Sequence, residues 1–178
     1  MQTTQIIDEL SKVTISVTDS QIETMLNQLH EAHHIFVSGA GRSGLMIKAF
    51  ANRLLQLGLP VSIIGELTAP HTKDKDVLIF NSASGTSPVL LSQAIEAKKN
   101  NLKIFLFTTD EFSPLSKYAN ETIQISAQSK YSHTDSFQPM GALFEQYSLL
   151  LFDSLVIKYM NMFNVDEENM RSNHANIE

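Results

Sequence analysis

The residues able to do chemistry in this 178-residue chain gather in two glycine- and hydroxyl-rich loops, with a few separate acids and histidines. The first loop reads Ser38-Gly39-Ala40-Gly41-Arg42-Ser43-Gly44. Glycines at this density let the backbone turn tightly, and free N–H groups at a helix start attract anions. The spacing matches G-x-G-x-x-G, and Glu66 falls about where a ribose-binding acid would stand. A dinucleotide is therefore one candidate ligand. Arg42 and Ser43 supply a cation and a hydroxyl that suit a compact phosphate, and a purely structural tight turn is the third reading. The second loop, Ser82-Ala83-Ser84-Gly85-Thr86-Ser87-Pro88, places a proline where the first position of a helix tolerates it. Alone it reads as a serine-rich cap. Together the two loops read as one phosphate site, with Gly41, Arg42, Ser43, Ser82, Ser84, Gly85, Thr86 and Ser87 as its binding residues.

Three further residues could move protons. Glu145 sits in an apolar stretch that would desolvate it and raise its pKa, as a general base requires. The same carboxylate could simply stabilise the first turns of a helix. Glu66 is a second possible base or sugar-hydroxyl acceptor, or else a capping or interface acid. His174, four residues from the end, reads by itself as tail. His30, His33 and His34 lack a well-spaced carboxylate beyond Glu31, which favours a helix-end role over a metal site. His71 and His133 are isolated loop residues, of which His133 could reach the cleft.

These residues need a scaffold, and the apolar pattern supplies one. Residues 3–14 and 19–32 read as helices, the second with N-cap candidates at Thr18, Asp19 and Ser20. Short apolar runs at 35–37, 61–64, 77–80, 104–107 and 122–125 read as strands. Helices are expected over 43–57 and 87–100, a short turn over 114–118, and a long helix over 139–163. Strands alternating with helices imply an α/β fold: a single-domain, doubly wound, flavodoxin-like sheet of five parallel strands with helices on both faces. The expected organisation is one domain over 1–178, with leading helices to 33, a sheet core over 34–126, and a tail over 164–178. In such a sheet the loops after the first and third strands flank the topological switch point, so both loops meet at one crevice. The long helix is apolar nearly all round, which predicts part core and part subunit interface.

Composition narrows the function. Apolar residues make up 43%, enough for one full-sized core. Charged residues make up only 18%, which points to self-association as a dimer or tetramer. A net charge of −6 excludes a basic nucleic-acid module. At face value it also opposes an anionic ligand, but a site made of N–H groups and hydroxyls, with Arg42 beside it, does not depend on bulk charge. The absence of cysteine excludes disulfides and thiolate metal sites and fits a cytoplasmic protein. No segment reads as a signal peptide or membrane span.

Several segments resemble the SIS (sugar isomerase) domain family of phosphosugar-binding proteins, and within it the 6-phospho-3-hexuloisomerase branch. They are Gly39–Gly44, Phe50–Gly58, Gly65-Glu66, Gln138–Glu145 and the terminal His174–Glu178. The resemblance spans the chain, and the Gln138–Glu145 stretch with the tail is more specific than either glycine loop. It implies a phosphosugar isomerase that moves a carbonyl from C3 of a hexulose 6-phosphate to C2, without metal or cofactor, as an oligomer. Such a step needs a base to take the C2 proton and return it at C3, and a second group to shift protons between the oxygens. The resemblance assigns Glu145 as base and His174 as proton shuttle, with the tail reaching a neighbouring subunit's cleft. Where the family's second loop usually reads S-G-S-G-E-T, this chain has Ala83, Thr86 and Ser87, so the lost carboxylate at Thr86 bears on sugar selectivity. Family members also tend to place Arg directly before the His; here Ser172 and Asn173 intervene after Arg171. Two other readings remain: a non-catalytic phosphosugar sensor, and a nicotinamide-linked oxidoreductase using Gly39–Gly44.

Overall fold

The computed structural model describes residues 1–128 and 136–177. Its strands are β1 (Ile35–Gly39), β2 (Val61–Ile63), β3 (Val77–Asn81), β4 (Lys103–Thr108) and β5 (Glu121–Gln124). Alternate strand residues face opposite sides, and both sides are apolar. Ile35, Val37, Val77, Ile79, Phe105 and Phe107 join one core cluster, while Phe36, Leu78, Phe80, Ile104 and Leu106 join another. A sheet apolar on both faces must be covered twice, which requires crossover helices and parallel strands. The strands are parallel and ordered β2-β1-β3-β4-β5, the flavodoxin-like arrangement expected from the pattern.

The helices are α1 (Gln2–Leu10), α2 (Asp19–Glu31), α3 (Gly41–Gln56), α4 (Pro88–Lys99), α5 (Ala142–Phe163) and α6 (Glu167–Ser172). Helices α2, α3 and α5 cover one face, with Leu29, Phe50 and Phe152 among their buried residues. Phe50 stacks on Phe152 at 4.6 Å, and Phe107 of the sheet meets Phe152 edge-on at 5.0 Å. Helix α4 covers the other face through Leu90, Ala94 and Ala97. The long α5 buries Phe144, Leu151, Phe152 and Leu155 but leaves Leu150 and Ile157 more than half exposed. Among the described residues, no helix is long and apolar enough to cross a membrane.

Three boundaries differ from the sequence reading. The first helix stops at Leu10 rather than continuing to residue 14. Beyond it, β-branched residues alternate through Val13, Ile15 and Val17, and Ile15 forms an antiparallel bridge to Ile125. Ser16 N–H donates to Gln124 O, and Ser126 N–H donates to Thr14 O, so this segment covers the free edge of β5. The expected tail contains α6, whose start is a capping box between Asp166 and Asn169. The long helix begins at Ala142, because Met140 and Gly141 adopt left-handed φ values of 59° and 80°.

Candidate functional site

The register pairs Gly39 with Asn81, so β1 and β3 end side by side. From there α3 returns over one face towards β2, and α4 over the other towards β4. Their divergence opens the crevice at the switch point. The glycines make this approach possible: a Cβ on Gly44 would lie 2.5 Å from Gly39 O, and one on Gly39 would lie 2.9 Å from Asn81 O. Only bare backbone lets the first turn of α3 press this closely onto the strand ends.

A cavity of about 360 Å³ occupies the crevice. Gly41, Arg42 and Ser43 line it from the first loop, Ser82, Ser84, Thr86 and Ser87 from the second, and Glu145 from α5. Gly85 is not in the lining; at φ 59° it shapes the loop, and its carbonyl accepts from Leu115 N–H. Ser84 and Thr86 hydroxyls lie 2.9 Å apart. The hydroxyls of Ser43, Ser82 and Ser87 have no protein hydrogen-bond partner among the described residues.

The helix ends strengthen the case for an anion. α3, α4 and α5 all start at this cavity, and none has a side-chain N-cap bond. Of the helices that start elsewhere, α2 and α6 carry full capping boxes at Thr18 and Asp166, while α1, at the first residues of the chain, has no side-chain cap. First-turn N–H groups without a side-chain acceptor, together with the positive end of each helix dipole, form a cradle whose chemistry suits an anion such as phosphate.

Glu145 faces this cradle with only 12% of its side chain exposed, and its Oε2 accepts from Arg42 Nε at 2.8 Å. Burial pushes the carboxyl pKa up; the Arg42 guanidinium pulls it down, and the net shift is upward. The approach to α5 is anchored from α1, where Glu9 accepts from Phe137 N–H at 3.0 Å and Gln138 Nε2 at 3.1 Å.

The other two proton-transfer candidates lie outside this cavity. Glu66 lines a separate groove with Asn52 and Leu55 of α3, and its carboxylate is 3.9 Å from Lys48 Nζ. The acid that a dinucleotide would require thus sits in a groove apart from the first loop. His174 lines a larger groove of about 520 Å³ with Arg53, Asp153 and Arg171. Asn173 fixes this end of the chain by donating to Gln56 O at 3.1 Å. The 16 residues of α3 span about 24 Å, and they separate Gln56 from the loop at Gly41. His174 therefore stands roughly a helix length from its own chain's Glu145.

The histidine cluster has structural partners. His30 stacks on Phe163 at 3.9 Å with Nδ1 2.7 Å from Tyr159 Oη, His33 contacts Asp74 O, and His34 contacts Ser62 Oγ. His71 bonds to Thr72 O. No group of three or more metal-ligating side chains occurs among the described residues. His133 lies outside the described residues. Met140 lines the cavity in its left-handed conformation, although a flexible apolar side chain before a glycine gives no chemical signal of a site.

Fold and site together define a doubly wound α/β domain with a polar crevice at its switch point, and comparison with known proteins gives its family. The chain belongs to the SIS domain family, whose model matches residues 28–150. Relatives narrow the class further. The 3-hexulose-6-phosphate isomerase of Bacillus subtilis (strain 168) is 34% identical over 98% of this chain and 96% of its own. That of Mycobacterium gastri is also 34% identical, over 96% of this chain and 87% of its own. A solved structure from Methanococcus jannaschii, described as inferring a function of 3-hexulose-6-phosphate isomerase, superposes with a TM-score of 0.82. It is 28% identical and covers 98% of this chain and 96% of its own.

Proposed function

We propose that this chain is a phosphosugar isomerase that interconverts 3-hexulose 6-phosphate and fructose 6-phosphate through an enediolate. One observation carries the reading: a largely buried carboxylate, Glu145, faces a cradle of hydroxyls and open helix ends in a chain similar to proteins of that name. The hydroxyls of Ser43, Ser82, Ser84 and Ser87, with the first-turn N–H groups of α3 and α4, hold the phosphate. Glu145 removes the C2 proton, the C2–H electron pair becomes the C2=C3 bond, and the C3 oxygen takes the negative charge. Reprotonation of C3 by the same carboxyl, with transfer of the C2-hydroxyl proton to the C3 oxygen, completes the shift. The Arg42 guanidinium, which donates from Nε to Glu145, is assigned to stabilise the charge on the enediolate oxygens. Thr86 lines the cavity without charge and bears on which sugar fits.

The reaction so drawn uses side-chain acid–base groups alone, and we assign it as metal-independent. The transfer between the two oxygens is assigned to His174 of a neighbouring subunit, since α3 keeps each His174 away from its own cavity. The exposed Leu150 and Ile157 of α5 support an oligomer, a dimer or tetramer, in which such an exchange can occur. Glu66 is the alternative base or hydroxyl acceptor, again across a subunit boundary. A charged sugar phosphate does not leave a cell unaided, which fits a cytoplasmic location.

The test is a coupled assay over a panel of ketose and aldose phosphates in deuterated water. Conversion of 3-hexulose 6-phosphate to fructose 6-phosphate with deuterium incorporation is expected. Binding of the sugar phosphate without conversion or exchange would overturn the reading in favour of a sensor.

A further inference from the structure

Asn81, the last residue of β3, and Ser148 of α5 are both fully buried. Asn81 Nδ2 donates to Ser43 O at 3.0 Å, and Asn81 Oδ1 accepts from Ser148 Oγ at 3.3 Å. The carbonyl of Ser43 can only accept, so it dictates which way the amide faces. Ser148 Oγ also lies 2.7 Å from Phe144 O, and its single proton is shared between the two acceptors. Phe144 directly precedes Glu145, and Ser148 lies three residues after it, so the hydroxyl braces the turn of α5 that carries the carboxylate. At the other end, the Ser43 carbonyl belongs to the turn of α3 that carries Arg42.

One buried amide thus joins the three elements that make the cavity. A buried polar side chain is costly unless every group is paired, and an apolar residue would fill the same space without that demand. Neither Asn81 nor Ser148 lines the cavity, so ligand contact does not account for them. We infer that Asn81 and Ser148 are positioning residues, which hold Glu145 at a set distance from Arg42 and from the phosphate loop. The inference rests on the isomerase reading only for its effect on turnover. Proton abstraction is sensitive to such placement, since a displacement of about 1 Å can cost on the order of 10²-fold in rate.

Two variants test it: Ser148→Ala, which a helix accepts readily, and Asn81→Leu, which removes the amide but keeps the same branching and heavy-atom count. The readout independent of activity is the titration of Glu145 followed by carbon NMR of its carboxyl. Loosening the turn weakens the Arg42 contact, so the Glu145 midpoint is expected to move to higher pH in both variants. On 3-hexulose 6-phosphate, kcat is expected to fall about tenfold or more with KM within about threefold. The double variant should lose no more than Asn81→Leu alone, because both changes break one bridge. An unchanged Glu145 midpoint in Ser148→Ala overturns the inference, whether or not the wild type turns over this sugar. If Asn81→Leu does not fold, Ser148→Ala decides alone. Wild-type inactivity on the sugar would instead count against the isomerase reading.

Discussion

Arg42 donates from Nε to Glu145 Oε2 across 2.8 Å, and the two side chains differ sharply in exposure, at 61% and 12%. The cation is hydrated while the carboxylate is largely desolvated. Burial therefore prevails over the guanidinium in setting the Glu145 pKa, which lies above the usual carboxylate range. A carboxylate of that kind is a stronger base than an exposed one.

Replacing Glu145 by Gln should cost about 10²–10⁴-fold in kcat, the usual contribution of a general base. Inorganic phosphate affinity, measured by calorimetry, should stay within about threefold, because the cradle is built from other groups. The raised pKa also means that folding favours the protonated form. The stabilisation from Glu145 is thus complete below its unfolded pKa and is lost as pH rises through its folded pKa. At neutral pH the neutral Gln variant should melt at the wild-type temperature or a few degrees above it. A clearly lower melting temperature would contradict the burial argument.

The same pair predicts a pH signature. Activity, kcat/KM, should fall on the acid side as Glu145 takes up a proton, at a pH above that of an ordinary carboxylate. Arg42→Gln removes the influence that lowers the Glu145 pKa, so the acid limb should shift further towards neutrality. A limb that stays in place or moves to lower pH would show that another group controls it.

Gly44→Ala should destabilise the protein despite the better helix propensity of alanine, worth about 1 kcal/mol. The new Cβ would lie 2.5 Å from Gly39 O, a backbone atom that cannot turn aside. We expect a net loss of about 1–3 kcal/mol, a fall of roughly 2–12 °C in Tm by calorimetry at this chain length. An unchanged or higher Tm would mean that α3 can retreat from the strand ends.

Mixing subunits locates the action of His174. Glu145→Gln and His174→Gln proteins, each impaired alone, should regain about a quarter of the active sites when unfolded and refolded together as random dimers. Only hybrids join an intact Glu145 to an intact His174 from the partner. No recovery, with hybrids demonstrated by mass spectrometry, would confine each site to one chain.

Exhaustive chelation should leave kcat at the wild-type value, measured before and after dialysis against a chelator. A loss restored by a divalent ion would refute the metal-independent mechanism.

Much of this was legible in the residues. The short apolar runs identify all five strands, and the two loops fall at the carboxyl ends of the first and third as the doubly wound order requires. What escaped was tertiary. Val13–Val17 reads as the end of a helix until β5 offers an edge to pair with. Asn81 looks like the close of an apolar strand, and its role depends on Ser43 and Ser148, far from it in sequence. The separation of His174 from Glu145 depends on the length and direction of α3, which local patterns do not reveal. The open helix ends at the cavity were half visible: the second loop, Ser82–Pro88, reads alone as a serine-rich cap, but Ser87 does not cap α4.

Those uncapped ends also bear on how long the enzyme survives. A sugar phosphate in the cradle would act as the missing cap for two or three helices at once, tying substrate supply to resistance against unfolding. At 100 times its dissociation constant a ligand adds about 2.7 kcal/mol to folding stability. Cells rich in the substrate would keep more of this protein, and starved cells would lose it sooner to proteolysis, with no dedicated regulator.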